Sequence, residues 1–319
     1  MVKKIKIFTQ AIVLFFIFSC QMVHKKNEIE NSNRVYPTLP ATPSTSQQSS
    51  VSNQAVLSGD LIQTNPQTLP KSESSIIPQQ YSNRTVPKFG VILSGGGAKA
   101  WAHIGILKEL QKYKFPIVSI AGIEWGAVVA ASYAHQTSVN EVEWEMSKFK
   151  DIDHWVDFIK AAFNKKSTID FKIPFVCPSL NLKNKTIYLL NRGQLDQFLP
   201  YCIPAQGIVK PYGNSVAYMN DLNLVVQHLK ATGVTKIILI NVITSKNDQA
   251  IIKSIDSPEN QIWAEHMGSL KKNVAYDDLI EIDLGDFNID DFDKRKDIIV
   301  KGADLSYNLI KKLAEKYKL

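Results

Sequence analysis

From about residue 87 to the end of the chain, short apolar runs alternate with segments whose apolar residues recur at helical spacing. GVILSG (90–95), PIVSIAG (116–122), IPFVCPSLNL (173–182), KTIYLLN (185–191), TKIILINVI (235–243) and DLIEIDL (278–284) read as strands. AKAWAHIGILKELQKY (98–113), EWGAVVAASYAHQ (124–136), LNLVVQHLKATG (222–233) and a long closing segment from Phe292 to Lys318 read as helices. TKIILINVI is the strongest candidate for a central strand. Strand alternating with helix predicts an α/β fold, with a mostly parallel central sheet sandwiched between helices. The expected domain spans 87–319.

The residues before it follow a different logic. Lys3, Lys4 and Lys6 precede the apolar stretch FTQAIVLFFIF, which is too short to favour a spanning helix. The stretch ends at Ile17-Phe18-Ser19-Cys20, which resembles a bacterial lipobox. That resemblance implies a signal peptide at 1–19, cleavage before Cys20 and acylation of its thiol; an uncleaved anchor or an ordinary signal is the plainer alternative. Residues 20–86 then form a Ser/Gln/Pro-rich tether (TPSTSQQSSVSNQ, QTNPQTLPKSESS) without apolar periodicity. As a random coil it would span roughly 45 Å, enough to hold a domain off a membrane surface. Gln21, where an aspartate would favour inner-membrane retention, points weakly to the outer membrane.

Composition narrows the partners. The net charge is +7 over 319 residues, and three of the positive charges lie in the expected signal. No Arg-rich stripe interleaved with aromatics is present, so nucleic acid is not an expected partner. The short basic cluster at 292–296 reads as a solvated helix start. Cys177 and Cys202 sit in apolar surroundings; an exported domain permits a disulfide between them, and two buried free thiols are the equal alternative. Neither has His or Cys neighbours at metal-ligand spacing, so neither a metal nor a cofactor is expected.

The candidate chemistry lies in two strand-to-helix turns. Gly95-Gly96-Gly97 precedes a helix and leaves backbone N–H groups free to meet an anion, with Ala98 and Lys99 following at the helix start. The spacing matches neither nucleotide-binding glycine motif. An oxyanion hole fits better, and it requires a nucleophile from a neighbouring elbow. The second turn, Gly122-Ile123-Glu124-Trp125-Gly126, has the flanking glycines of such an elbow, with a glutamate at its centre where serine belongs.

Residues 90–135 resemble the opening of the bacterial patatin-like phospholipases, which show G-G-G-x-[KR]-G, then H-I-G, then G-x-S-x-G. The likeness continues more faintly through YCIPAQGIVKPYG, TKIILINV and GDFNIDDFD. It implies a Ser–Asp dyad without histidine, hydrolysing acyl esters of lipids. The chain departs from that pattern at three places. Glu124 replaces the serine, Ala100 replaces the last glycine of the first motif, and the Asp-Gly-[GA] motif is altered. Asn220 is the expected occupant of the aspartate's place, with Ala217 the choice of a gapless alignment and Asp221 that of a loop shifted by one.

These departures leave several readings side by side. Glu124 either rests in its own anion hole, with a lowered pKa and a plugged cleft, or faces solvent. Trp125 either fills the acyl channel or packs beneath its helix. Lys99 either steers anionic headgroups or sits at the surface, the latter being favoured. His103 is expected to be a core residue. Ser94, Ser119 and Ser215 lack the setting of a substitute nucleophile. The functional expectation is a membrane-tethered, catalytically impaired lipid-binding or regulatory protein, with the Cys20 lipid and an acyl chain as ligands. The alternative is an active lipid acyl hydrolase with an unidentified nucleophile.

Overall fold

The computed structural model describes residues 86–205, 209–243 and 275–319. The expected signal peptide, Cys20 and the tether up to residue 85 lie outside the described residues.

The sheet is built from the apolar runs. β1, Phe89–Leu93, is central and buried along its whole length. It pairs in parallel with β2 (Ile117–Gly122) on one side and β6 (Lys236–Asn241) on the other. β7 (Asp278–Glu281) extends the parallel set beyond β6, and β3 (Phe175–Asn181) extends it beyond β2. Continuous Val/Ile/Leu runs suit strands covered on both faces. β4, Thr186–Leu190, is antiparallel to β3 at the edge and far more exposed. The order is β4-β3-β2-β1-β6-β7, with β5 (Ser215–Ala217) also pairing with β3.

β3 organises the C-terminal edge of the sheet. β4 occupies one of its edges along Cys177–Asn181. Its other edge is shared: β2 takes Phe175 and Val176, and β5 takes Ser179 to Asn181, running antiparallel. β5 therefore sits above the end of β2, and the chain leaving Ala217 descends towards the turn that follows Gly122.

The helices flank this sheet. A 3-10 turn, Gly97–Trp101, leads into α1, Ala102–Lys112. α2, Trp125–Gln136, is buried from Trp125 to Ala134, and its small side chains (GAVVAASYA) let it sit among other elements on all sides. α3 (Val139–Met146), α4 (Trp155–Ala162) and α5 (Leu195–Phe198) follow before α6, Asn223–Ala231. The closing helix begins as a 3-10 turn, Phe292–Lys294, and continues as α7, Arg295–Tyr317, which packs along α1. Among the described residues no helix is long and apolar enough to cross a membrane, and no cluster of His, Cys, Asp and Glu is placed to hold a metal ion.

Cys177 and Cys202 form a disulfide, so of the two readings left open by the sequence the structure takes the bonded one. It ties β3 to the 3-10 turn Leu199–Cys202 across a separation of 25 residues. Loop-closure entropy gives such a bridge about 3–4 kcal/mol of stability. Urea unfolding of the native protein against Cys177→Ser/Cys202→Ser should show a loss of that size. Equal midpoints and slopes would mean that the bridge contributes nothing.

Candidate active site

The elbow between β2 and α2 has the backbone of a nucleophile turn. Ile123 donates its N–H to the Leu93 carbonyl at 3.0 Å, and Ala127 N–H closes the first turn of α2 onto the Glu124 carbonyl at 2.9 Å. Between them Glu124 adopts φ 54° and ψ −131°, a region that non-glycine residues rarely enter. The turn is this tight because Gly126 lies against β1: a Cβ there would stand 2.3 Å from the Ser94 carbonyl oxygen. Strain of this kind, ~1–3 kcal/mol, persists only where neighbours fix the backbone.

The neighbours here are aromatic. Trp125 is 1% exposed, and its ring lies 5.5 Å from Trp101, 4.8 Å from Phe149 and 5.2 Å from Phe292. Each such pair contributes about 0.5–1.5 kcal/mol beyond simple burial. Trp125 thus anchors the residue after the elbow in a cluster drawn from the glycine turn, α2 and the two segments carrying Phe149 and Phe292.

Facing the elbow is the glycine turn. Gly96 (φ 146°) and Gly97 (φ 54°) present consecutive N–H groups to one point, a backbone nest at the entrance to a helix. The Glu124 carboxylate occupies that point. Its Oε2 accepts from Gly96 N–H at 2.6 Å and from Gly97 N–H at 2.9 Å, and its Oε1 accepts from Gly97 at 3.3 Å. Of the five positions expected to line the hole, these two supply the donors. Gly95 lies behind the carboxylate, so that a Cβ there would be 2.9 Å from Oε2. The Ala98 N–H is taken by the Ile289 carbonyl at 2.7 Å, and the Lys99 N–H by the Gly96 carbonyl at 3.0 Å. A side chain at Gly97 would collide with the same Ile289 oxygen, at 2.1 Å.

Two sequence expectations are corrected here. The Glu124 pKa was expected to fall in the hole. Instead burial pushes it up to about 7, against the opposing pull of the Gly97, Gly96 and Trp125 amides. The residue is 2% exposed, and losing water costs the charged form more than these hydrogen bonds return. Lys99 was favoured as a surface residue, yet it is 4% exposed. Burial lowers its pKa, and the Asp283 and Asp291 carboxylates oppose that shift from the segment that covers the turn.

The other candidate positions differ in their settings. Ala217 and Met219 are buried at the end of β5, while Asn220 and Asp221 are exposed. Asp221 instead accepts the Asn223 N–H at 2.9 Å and opens α6. Ser94 spends its hydroxyl on the Gly95 carbonyl and the Val242 N–H, and Ser119 donates to the Pro174 carbonyl. Ser215 stands opposite Asn181 in β5. His103 is fully buried, and its Nε2–H donates to the Ser94 carbonyl at 2.8 Å. Burial lowers its pKa to about 4, so the ring is neutral and structural. The part of Ile289 in closing the turn was missed by sequence reasoning, because a backbone carbonyl leaves no mark in residue identity.

A strained elbow at the end of a parallel strand, aimed at a glycine N–H pair, defines a scaffold of the acyl-ester hydrolase class. The chain belongs to the patatin-like phospholipase family, whose model matches residues 91–260. It is similar to lysophospholipase NTE1 of Cryptococcus neoformans var. neoformans serotype D (strain JEC21), with 26% identity over 182 residues, 49% of this chain and 11% of that protein. Lysophospholipase NTE1 of Debaryomyces hansenii gives 27% over 188 residues, 50% of this chain and 12% of that one. The chain thus spans only a small part of these relatives' length. Among solved structures, VipD from Legionella pneumophila aligns at a TM-score of 0.40 and 8% identity, covering 72% of this chain and 67% of that one.

The buried carboxyl has a measurable consequence. Unfolded, Glu124 titrates near its ordinary 4.5; folded, near 7. Its contribution to stability is complete below the lower value and is lost as pH rises through the upper one, about 3 kcal/mol in all. His103 acts in the opposite sense, losing stability as pH falls from 6.5 towards 4. Unfolding free energy measured against pH for the native protein minus Glu124→Gln isolates the first effect. The difference should fall by about 3 kcal/mol between pH 4.5 and about pH 8; a flat difference would contradict the burial of this carboxyl.

Proposed function

We propose that this protein is a catalytically silent member of the patatin-like phospholipase family. In this reading it is held at a membrane by lipid on Cys20 and acts as a lipid-binding or regulatory protein. The observation that carries the reading is the Glu124 carboxylate on the Gly96 and Gly97 amides. A substrate carbonyl oxygen that needed those donors would have to displace an acid from them. The same substitution removes the hydroxyl that would form the acyl-enzyme. Attack by the carboxylate itself would give a mixed anhydride from an ester, an uphill step. Loss of a nucleophile or its base costs ~10⁴ to 10⁶-fold in serine hydrolases; here the serine is absent, and Asn220 and Asp221 are exposed.

Two further observations support the rest. Ile17-Phe18-Ser19-Cys20 follows a short apolar stretch, and the Cys177–Cys202 disulfide suits an oxidising compartment outside the cytosol. The relatives' name, lysophospholipase, gives the ligand class assigned to the cleft, a phospholipid or lysophospholipid.

Hydrolysis of p-nitrophenyl butyrate tests the silent site. The native protein should match the buffer blank and should not react with a fluorophosphonate. Glu124→Ser combined with either Asn220→Asp or Ala217→Asp should restore turnover, and the successful pair identifies the dyad position. Native turnover, or probe on any side chain of the native cleft, contradicts the reading. Separately, Cys20→Ala should abolish incorporation of an alkynyl fatty acid in cells; unchanged labelling would remove the tether.

A further inference from the structure

A cavity lies between the start of β3, the end of β4 and the end of α6. It has a volume of about 620 Å³, well within the size of small-molecule sites. Ile169, Phe171, Ile173, Pro174 and Phe175 form an apolar wall, and Asn191, Arg192, His228 and Thr232 supply polar groups. Strand register fixes its place. The wall runs into the start of β3, level with Ile120 of β2, while the elbow follows the far end of β2 at Gly122. Asn191 and Arg192 leave the end of β4, which the antiparallel pairing brings back beside the start of β3. His228 and Thr232 come from the last turn and C-cap of α6. None of the residues of the glycine turn or the elbow lines this cavity.

Three features show that this is a built site. First, its apolar rim is held out in water. Ile169 is 90% exposed in a 3-10 turn that is closed by a capping box between Ser167 and Asp170. Thr168 is fastened on both sides to Gly193: its N–H donates to the Gly193 carbonyl at 3.1 Å, and its hydroxyl accepts the Gly193 N–H at 3.1 Å. The turn is thus fixed with its isoleucine unburied, which is what the lip of an apolar ligand site requires. Second, Arg192 is exposed and has no ion-pair partner among the described residues. Third, the His228 ring is fixed against Asn191 on the polar side of the cavity. Burial and the neighbouring Arg192 lower its pKa, and its Nε2 accepts from the Asn191 amide at 3.3 Å. An apolar wall ending at a guanidinium unpaired among the described residues, beside the polar side chains of Asn191, His228 and Thr232, complements a chain with an acidic head.

The geometry points to this cavity as a binding site for a single-chain anionic amphiphile, its acyl chain along Ile169, Phe171 and Phe175 and its carboxylate or phosphate on Arg192. The planar guanidinium pairs with either head through two parallel hydrogen bonds. The site shares no residue with the elbow, so it stands whether or not the elbow is silent.

Binding of dansyl-undecanoic acid to the purified full chain, followed by fluorescence, tests the assignment. Saturable binding is expected. Arg192→Gln should weaken it roughly tenfold, the loss of one charge-assisted contact. Ile169→Asp, a change at an exposed position that leaves the core intact, should weaken it as well. Palmitate and palmitoyl lysophosphatidate should both displace the probe from the native protein, and the more potent of the two names the head group. Methyl palmitate should compete less well, and its competition should not respond to Arg192→Gln. A diazirine fatty acid should label peptides from 167–175 or 191–193. No saturable binding, affinities unchanged in both variants, or labelling confined to 94–97 and 122–126 would overturn the assignment; the last would place the chain in the cleft instead.

Discussion

A buried carboxylate held by two consecutive glycine amides is the interaction on which the rest of this molecule turns. The Gly96 and Gly97 N–H groups would be costly to bury without an acceptor. Glu124 supplies one from inside the protein, at 2.6 and 2.9 Å. The site therefore satisfies its own donors at rest, whereas an oxyanion hole meets its full charge only in the transition state. The cost appears in acidity: shut away from water, the carboxyl holds its proton up to about pH 7.

Everything around that contact maintains geometry. Gly126 against the Ser94 carbonyl forces the tight turn, and the Trp101–Trp125–Phe149–Phe292 cluster pins the residue after it. Ile289 closes the far side by taking the Ala98 N–H, and buried Lys99 sits within reach of the charges on Asp283 and Asp291 in the same covering segment. The backbone conformation expected of a nucleophile is held at a glutamate, because the turn is fixed by its glycines and aromatic neighbours and not by the side chain at its centre.

Much of this was legible in the residues. The apolar runs are the strands of the sheet, because parallel strands covered on both faces need continuous Val, Ile and Leu. The two glycine turns stood out because elbows and nests need glycine at fixed offsets. Other features were hidden for physical reasons. β5 is three residues long and owes its existence to pairing with β3, a non-local partner. The 3-10 start of α1 reads as helix because its apolar spacing is nearly the same over one turn. Lys99 read as a surface residue because lysine is rarely buried, and the segment that covers it is distant in sequence. The pKa of Glu124 depends on how much water the fold removes, which residue identity does not encode. The cavity beside Arg192 joins residues from three separate stretches and left no motif.

The amide resonances of Gly96 and Gly97 test the central claim most directly. In the native protein both protons should lie well downfield, as expected of charge-assisted bonds. They should titrate together near pH 7 and move upfield in Glu124→Ala. Resonances that ignore both pH and the loss of Glu124 would show that the carboxylate is not in the hole, and the account of a self-occupied site would fail.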